Sequence, residues 1–239
     1  MKKTLLKYIL IIILSTALML SLLVGFGLIN SPRDIDVSTS SPTYTTVIID
    51  AGHGGEDGGA SSKSGLIEKN INLELAFILK EKLEAEGISV VLTRDTDTLL
   101  YDRNVDYNGR KKVLDMEARM KIVESTPNCI FVSLHMNTYT SPKYSGLQVW
   151  YSGNNPDSQI LANTIQEGVK QALQPENNRK TKSAGTSIYL LNKSFCPAVL
   201  IECGFLSNVA EAKLFEDIEY KTSLCSSVCN CIIQFLGKC

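Results

Sequence analysis

Apolar and polar positions switch between a period near two and a period near four along most of this chain, and the switches lay out its elements. The first feature stands apart from that pattern. After Lys2, Lys3 and Lys7 an uncharged apolar run extends from Tyr8 to Ile29. It exceeds the ~18 residues that suffice for a membrane-spanning helix, and the LINSPRD that closes it offers no small-residue site of the kind that ends a cleaved secretory signal. Three lysines before the run, against Arg33, Asp34 and Asp36 after it, place the N-terminus inside. Residues 1–29 are therefore expected to form an uncleaved signal-anchor, with the remainder of the chain outside the membrane. Residues 30–43, with Pro32, Pro42 and a Ser/Thr cluster, read as a tether. Residues 44–239 then have the size of one domain with one sizeable core.

Within that domain the periods alternate. Thr46 to Ile49 is a short β-type run. Glu68 opens EKNINLELAFILKEKLEAEG, in which Ile71, Leu75, Ile78 and Leu79 recur at helical spacing until Gly87. Ile88 to Thr93 is the next strand, and the intervening helix makes a βαβ unit with parallel pairing. A polar excursion from Thr93 to Asp115 precedes a short helix over Met116 to Glu124, which contains Arg119. Strands follow over Ile130 to His135, Leu147 to Tyr151, Ser187 to Leu191 and Ala198 to Glu202, with a helix over Ser158 to Leu173. Beyond Asn208, a candidate N-cap, the pattern is helical nearly to the end. The expected fold is α/β, a single domain with a central, mostly parallel sheet flanked by helices.

Charge narrows the partners. Without the three anchor lysines the part of the chain beyond the anchor carries 21 basic residues against 25 acidic ones, a formal charge of about −4 with no basic stripe, so nucleic acid is not an expected partner. The glycine-rich stretch after Ile49 lacks the G-x-x-x-x-G-K-[ST] pattern of a phosphate cradle. Thr93 to Asp97 lacks the spaced ligands of a calcium loop and reads as a solvated turn. The chain has seven cysteines. Their odd number and apolar settings, such as Cys225 and Cys229 on a stripe with Val228 and Ile232, favour small core residues over disulfides.

Candidate chemistry sits at three strand ends. The first strand runs into VIIDAGHGGEDGGA and presents His53 among glycines that let the backbone turn; CIFVSLH ends in His135; AVLIE ends in Glu202. His53 and His135 are the only histidines. Side chains at the carboxyl ends of parallel strands converge on one crevice, and two imidazoles with one carboxylate form a catalytic zinc set that leaves a fourth position for water. The carboxylate could come from Asp50, Glu56, Asp57, Glu68 or Glu202. Glu68 is preferred because a helix holds it beside the loop, although a glutamate in a first helical turn is also what the helix dipole alone would favour. Tyr139, Pro142 and Tyr144, just after His135, could line a glycan groove.

The motifs VIIDAGHGGEDGGA followed by Glu68, SLHMN at Ser133 to Asn137, and PAVLIECGFLSN at Pro197 to Asn208 together resemble the zinc-dependent N-acetylmuramoyl-L-alanine amidases of the amidase-3 type. The resemblance covers the domain from Val47 onwards. It implies His53, Glu68 and His135 as ligands of Zn2+, Glu202 as the second, catalytic glutamate, and peptidoglycan as substrate, cut at the amide between the lactyl group of muramic acid and L-alanine. The anchored single-domain form is similar to the germination-specific branch, which prepares muramic lactam in the spore cortex. Zinc chemistry also requires a carboxylate that shuttles a proton to the leaving amine, a role Glu202 can fill. The rival readings are a wall-binding or scaffolding domain without turnover and a zinc carboxypeptidase acting on stem peptides. Lacking a wall-binding module, the domain is expected to use an accessory protein for localisation or activation.

Overall fold

A computed structural model describes residues 43–104 and 106–237 together with Ile13, Leu14 and Thr16, which are helical and exposed. The expected anchor over 1–29 and tether over 30–43 otherwise lie outside the described residues. Among the described residues no helix is long and apolar enough to cross a membrane.

Six strands form one sheet in the order β2-β1-β3-β6-β4-β5. Its centre is parallel: β1 (Thr46–Ala51) lies between β2 (Ser89–Leu92) and β3 (Cys129–Asn137), and β3 pairs with β6 (Ala198–Phe205). On the far side β4 (Gln148–Tyr151) runs antiparallel to β6 and pairs in parallel with β5 (Lys182–Ser183). The three central strands are buried along nearly their whole length, as a sheet covered on both faces requires. One face packs Val47, Ile49, Val132, Leu134, Val199 and Ile201 against α1 (Glu68–Ala85), α3 (Asp157–Leu173) and α6 (Ile218–Phe235). The other packs Ile48, Phe131 and Leu200 against α2 (Lys111–Ser125) and α4 (Tyr189–Lys193). Asn208 caps α5 (Val209–Leu214) by accepting from Glu211 N, and Asp217 caps α6 by accepting from Glu219 N, so the helical C-terminal run is two helices.

Two expectations about local structure change. The run Ser187 to Leu191 is not a strand: Tyr189–Lys193 is a short helix, closed where Ser194 Oγ donates back to Leu190 O at 2.7 Å. A few residues of alternation fit one helical turn as well as a strand, and the sheet-edge position is taken instead by Lys182–Ser183. Thr93 to Asp97 is a solvated turn only in its second part: residues 95–97 are exposed, whereas Thr93 and Arg94 are buried and bond to the end of β1. The six cysteines among the described residues are free, five of them buried.

Candidate metal centre

Asp50 is the penultimate residue of β1, with its carboxylate fully buried. Thr93 Oγ1 donates to its Oδ1 at 2.7 Å, Ser133 Oγ to its Oδ2 at 2.6 Å, and Arg119 Nη1 to its Oδ1 at 2.6 Å. Burial alone would raise the Asp50 pKa, but the Arg119 charge and the two hydroxyls outweigh it and lower it to about 2. Arg119, 2% exposed, also pairs with Asp115 at 2.8 Å. The same guanidinium donates to Ala51 O at 2.9 Å and to His53 O at 2.8 Å. Arg94 donates to Ala51 O at 2.8 Å and Gly52 O at 3.1 Å, and Asn72 Nδ2 reaches Gly52 O at 3.1 Å. The carbonyls of three successive residues are thus held from below as the chain leaves the sheet. His53 takes a left-handed backbone, φ 62°, a conformation that persists in a non-glycine residue only where its surroundings fix it.

This bracing directs the His53 ring toward Glu68 and His135. His53 Nε2 is 3.2 Å and His135 Nδ1 3.0 Å from Glu68 Oε1, and the three ligand atoms lie within 4.8 Å of one another. A tetrahedral zinc ion with bonds of ~2.0–2.1 Å separates its ligand atoms by about 3.3 Å, so this donor set has the spacing and the composition of a three-ligand zinc site. Glu68 is held in place rather than merely favoured by the helix dipole. It is buried, Ala60 N donates to its Oε2 at 2.7 Å, and Met136 N donates to its Oε1 at 3.0 Å. Burial would raise the pKa of Glu68, but the two imidazoles hold it well below the usual carboxylate range. For His53, burial works against the charged ring, and Glu68 and Asp57 together raise its pKa.

Of the other carboxylates, Asp50 belongs to the bracing, and Glu56 bonds to Lys111 at 3.0 Å and to Tyr101. Asp57 is not one of the three converging donors either, yet its Oδ2 sits 3.0 Å from His53 Nδ1, off the line of a good hydrogen bond, where it can orient the ring from behind. Two glycines near the ligands are required for space. A Cβ on Gly52 would lie 2.3 Å from His135 Nε2, and one on Gly59 2.5 Å from Glu68 Oε2. Gly52 therefore makes room for a ligand ring, and His53 itself supplies the turn.

Glu202 stands in register with His135 across the β3–β6 pair. Its Oε2 is buried with no hydrogen-bond partner among the described residues, and burial raises its pKa. It does not pair with Arg119, whose partners are Asp50 and Asp115. Tyr139 and Tyr144 meet edge to face at 5.0 Å, both exposed. Reading the sequence missed Arg94 and Arg119 as supports. The spacing of Asp115 and Arg119, four apart on the stripe that also holds Met116, Met120 and Val123, was the available signal. Arg179, which lies beyond Glu202, carries no sequence signal.

Residues 47–234 match the family model described as N-acetylmuramoyl-L-alanine amidase. The chain is 33% identical over 192 residues, 80% of each chain, to the germination-specific N-acetylmuramoyl-L-alanine amidase of Bacillus subtilis strain 168. Among solved structures it is similar to the CwlD amidase from Clostridioides difficile in complex with the GerS lipoprotein, with TM-score 0.76 and 38% identity over 82% of this chain and 100% of that one. It is also similar to the N-acetylmuramoyl-L-alanine amidase from Clostridium difficile 630, with TM-score 0.70 and 28% identity over 82% and 98%.

Proposed function

Because the chain belongs to the N-acetylmuramoyl-L-alanine amidase family and so hydrolyses the amide joining muramic acid to L-alanine in peptidoglycan, we propose that His53, Glu68 and His135 hold the zinc ion of this reaction and that Glu202 moves its proton. The observation that carries the ligand assignment is the convergence of two imidazole nitrogens and one carboxylate oxygen within 4.8 Å. When bound, zinc supplies Lewis-acid polarisation of the scissile carbonyl and a water whose pKa is lowered to ~7.

The protein's own groups do the rest. Glu68 and the two histidines would hold the ion that polarises the reacting carbonyl. Glu202, one strand over from His135 with a buried, unpartnered oxygen, takes a proton from the attacking water and delivers it to the departing alanine nitrogen. Burial of Glu202 favours the protonated form needed for the second half of that transfer. Family membership removes the ground for a binding domain without turnover or a stem-peptide carboxypeptidase.

Three finer readings belong to the same proposal. The enzyme acts on spore cortex, a reading supported by the name germination-specific that the Bacillus subtilis relative carries. It works outside the membrane, tethered through residues 1–29. An accessory protein assists it, a reading supported by the lipoprotein bound to the Clostridioides difficile amidase.

The test is Glu202→Gln, which keeps size and hydrogen bonding while removing proton transfer. Mass spectrometry of muropeptides should show cleavage reduced by ~10²–10⁴-fold, with zinc content and circular dichroism unchanged. Wild-type rates from a folded, zinc-loaded variant would refute the role of Glu202.

A further inference from the structure

His135, Glu202 and Gln148 form one row across three adjacent strands, because His135 is in register with Glu202 on β6 and Glu202 with Gln148 on β4. Registered neighbours project from the same face of a sheet, at strand spacings of ~4.7–4.9 Å. The row therefore leads from the metal ligands, past the proton carrier, to a position about 10 Å away. There Gln148 Oε1 accepts a hydrogen bond from Arg179 Nη2. The Arg179 guanidinium lies 4.8 Å above the Phe205 ring, and its Nε has no partner. Arginine ion pairs among the described residues involve Arg103, Arg110 and Arg119, and none involves Arg179. Arg179 also borders a groove of about 750 Å³ that Tyr144, Gly146, Gln174, Asn177 and Glu211 help to line. Glu211 is occupied in that wall, accepting from Gly146 N and Phe205 N at 2.8 Å each.

The direction of the row matters because Glu202 must face the departing nitrogen. A peptide that continues from that nitrogen on the Glu202 side would follow the row toward Gln148 and Arg179. At ~3.3–3.6 Å per extended residue, the second residue of such a stem peptide would arrive about 7 Å beyond the scissile carbonyl, within reach of a guanidinium at the end of the row. Glu202 and Glu211 lie near enough for their charges to act on Arg179, yet neither is ion-paired with it, and a guanidinium seated on an aromatic ring with an unpartnered, buried Nε is suited to bind a carboxylate.

We infer that Arg179, presented by Gln148 and Phe205, forms an anion subsite that binds the free carboxylate of the stem-peptide residue following L-alanine. The inference rests on the amidase reading of the site and adds a specificity determinant to it.

The experiment compares two substrates that differ at one group, N-acetylmuramoyl-L-alanyl-D-glutamate and N-acetylmuramoyl-L-alanyl-D-isoglutamine, in which that carboxylate is an amide. The wild-type zinc enzyme should favour the acid by roughly tenfold to a hundredfold in kcat/KM, the range of a hydrogen bond to a charged group, with the difference mainly in KM. Arg179→Gln should cleave both at the rate of the amide, and Arg179→Lys should recover part of the preference. Thermal unfolding of each variant checks that it is folded. Equal rates for acid and amide in the wild type, or a preference that survives Arg179→Gln, would overturn the subsite while leaving the amidase intact. Failure of the wild type to cleave either substrate while it cleaves intact peptidoglycan would also overturn it, because the subsite would not then be reached by this residue alone. Failure on all three would overturn the amidase reading itself.

Discussion

Removing Arg119 tests whether the buried bracing beneath the metal centre is held by charge. Arg119→Met keeps much of the aliphatic volume but takes away the partner of Asp50, the partner of Asp115 and the donor to His53 O. Ala51 O keeps the bond from Arg94, and Asp50 keeps Thr93 and Ser133, so the loss is concentrated in the charges. An Asp50 that titrates at about 2 instead of 3.8 is worth about 2 kcal/mol to the charged form. Leaving a fully buried carboxylate without its cation costs about 3–5 kcal/mol, a large share of the ~5–15 kcal/mol that holds a typical domain together. The sign with pH follows from the lowered value. In the wild type the Asp50 contribution is fully present above the unfolded pKa near 3.8 and is lost as pH falls toward about 2. In the variant, burial acts on Asp50 without the opposing cation and raises its pKa, so the stability gap between the two proteins should begin to narrow as pH falls through that raised pKa, above 3.8, and go on narrowing toward about 2 as the wild type loses its own contribution. Urea unfolding of metal-free protein, in a double-mutant cycle with Asp50→Asn, measures the coupling. Effects that add to within about 0.5 kcal/mol, or a gap that does not change with pH, would refute the argument.

The ligand set makes a contrasting prediction: His53→Ala, His135→Ala and Glu68→Ala should each lose zinc by elemental analysis, whereas Glu56→Ala, whose carboxylate is engaged with Lys111 and Tyr101, should retain it. Asp57→Asn should lower zinc affinity by ~10–100-fold in competition with a chelator, as outer-shell substitutions do; unchanged affinity would remove Asp57 from the support of His53. Gly59→Ala should fold yet bind zinc weakly, because its Cβ would come within 2.5 Å of Glu68 Oε2 in a residue at φ 69°. Gly168→Ala, far from the ligands, should instead lower the unfolding midpoint by an amount equivalent to about 1–3 kcal/mol, since its Cβ would meet Cys231 Sγ at 2.2 Å where α3 and α6 touch. Zinc binding that fell with stability at Gly168 would show that the two effects are not separable.

The chain's own pattern determined the layering. Apolar runs at Thr46, Cys129 and Ala198, separated by helical stretches, specify parallel strands by their length and spacing alone, and placing a titratable residue just after each run specifies where those groups meet. The glycines around His53 and the helical start at Glu68 were legible for the same reason, that they are local. What needed the tertiary structure were decisions between groups of identical local character. Asp50, Glu56, Asp57 and Glu68 are all carboxylates near His53 in sequence, and only packing turns Asp50 down onto Arg119 and Glu56 out to Lys111 while aiming Glu68 between two imidazoles. The helix at Tyr189 was hidden because one turn and a short strand share a pattern, and the competition was settled at the sheet edge. Arg94, Arg119 and Arg179 look alike as isolated cations in the sequence. Their roles follow from partners more than 30 residues away, whether carbonyls at the end of β1 or a glutamine at the start of β4, and no local preference encodes a contact across that distance.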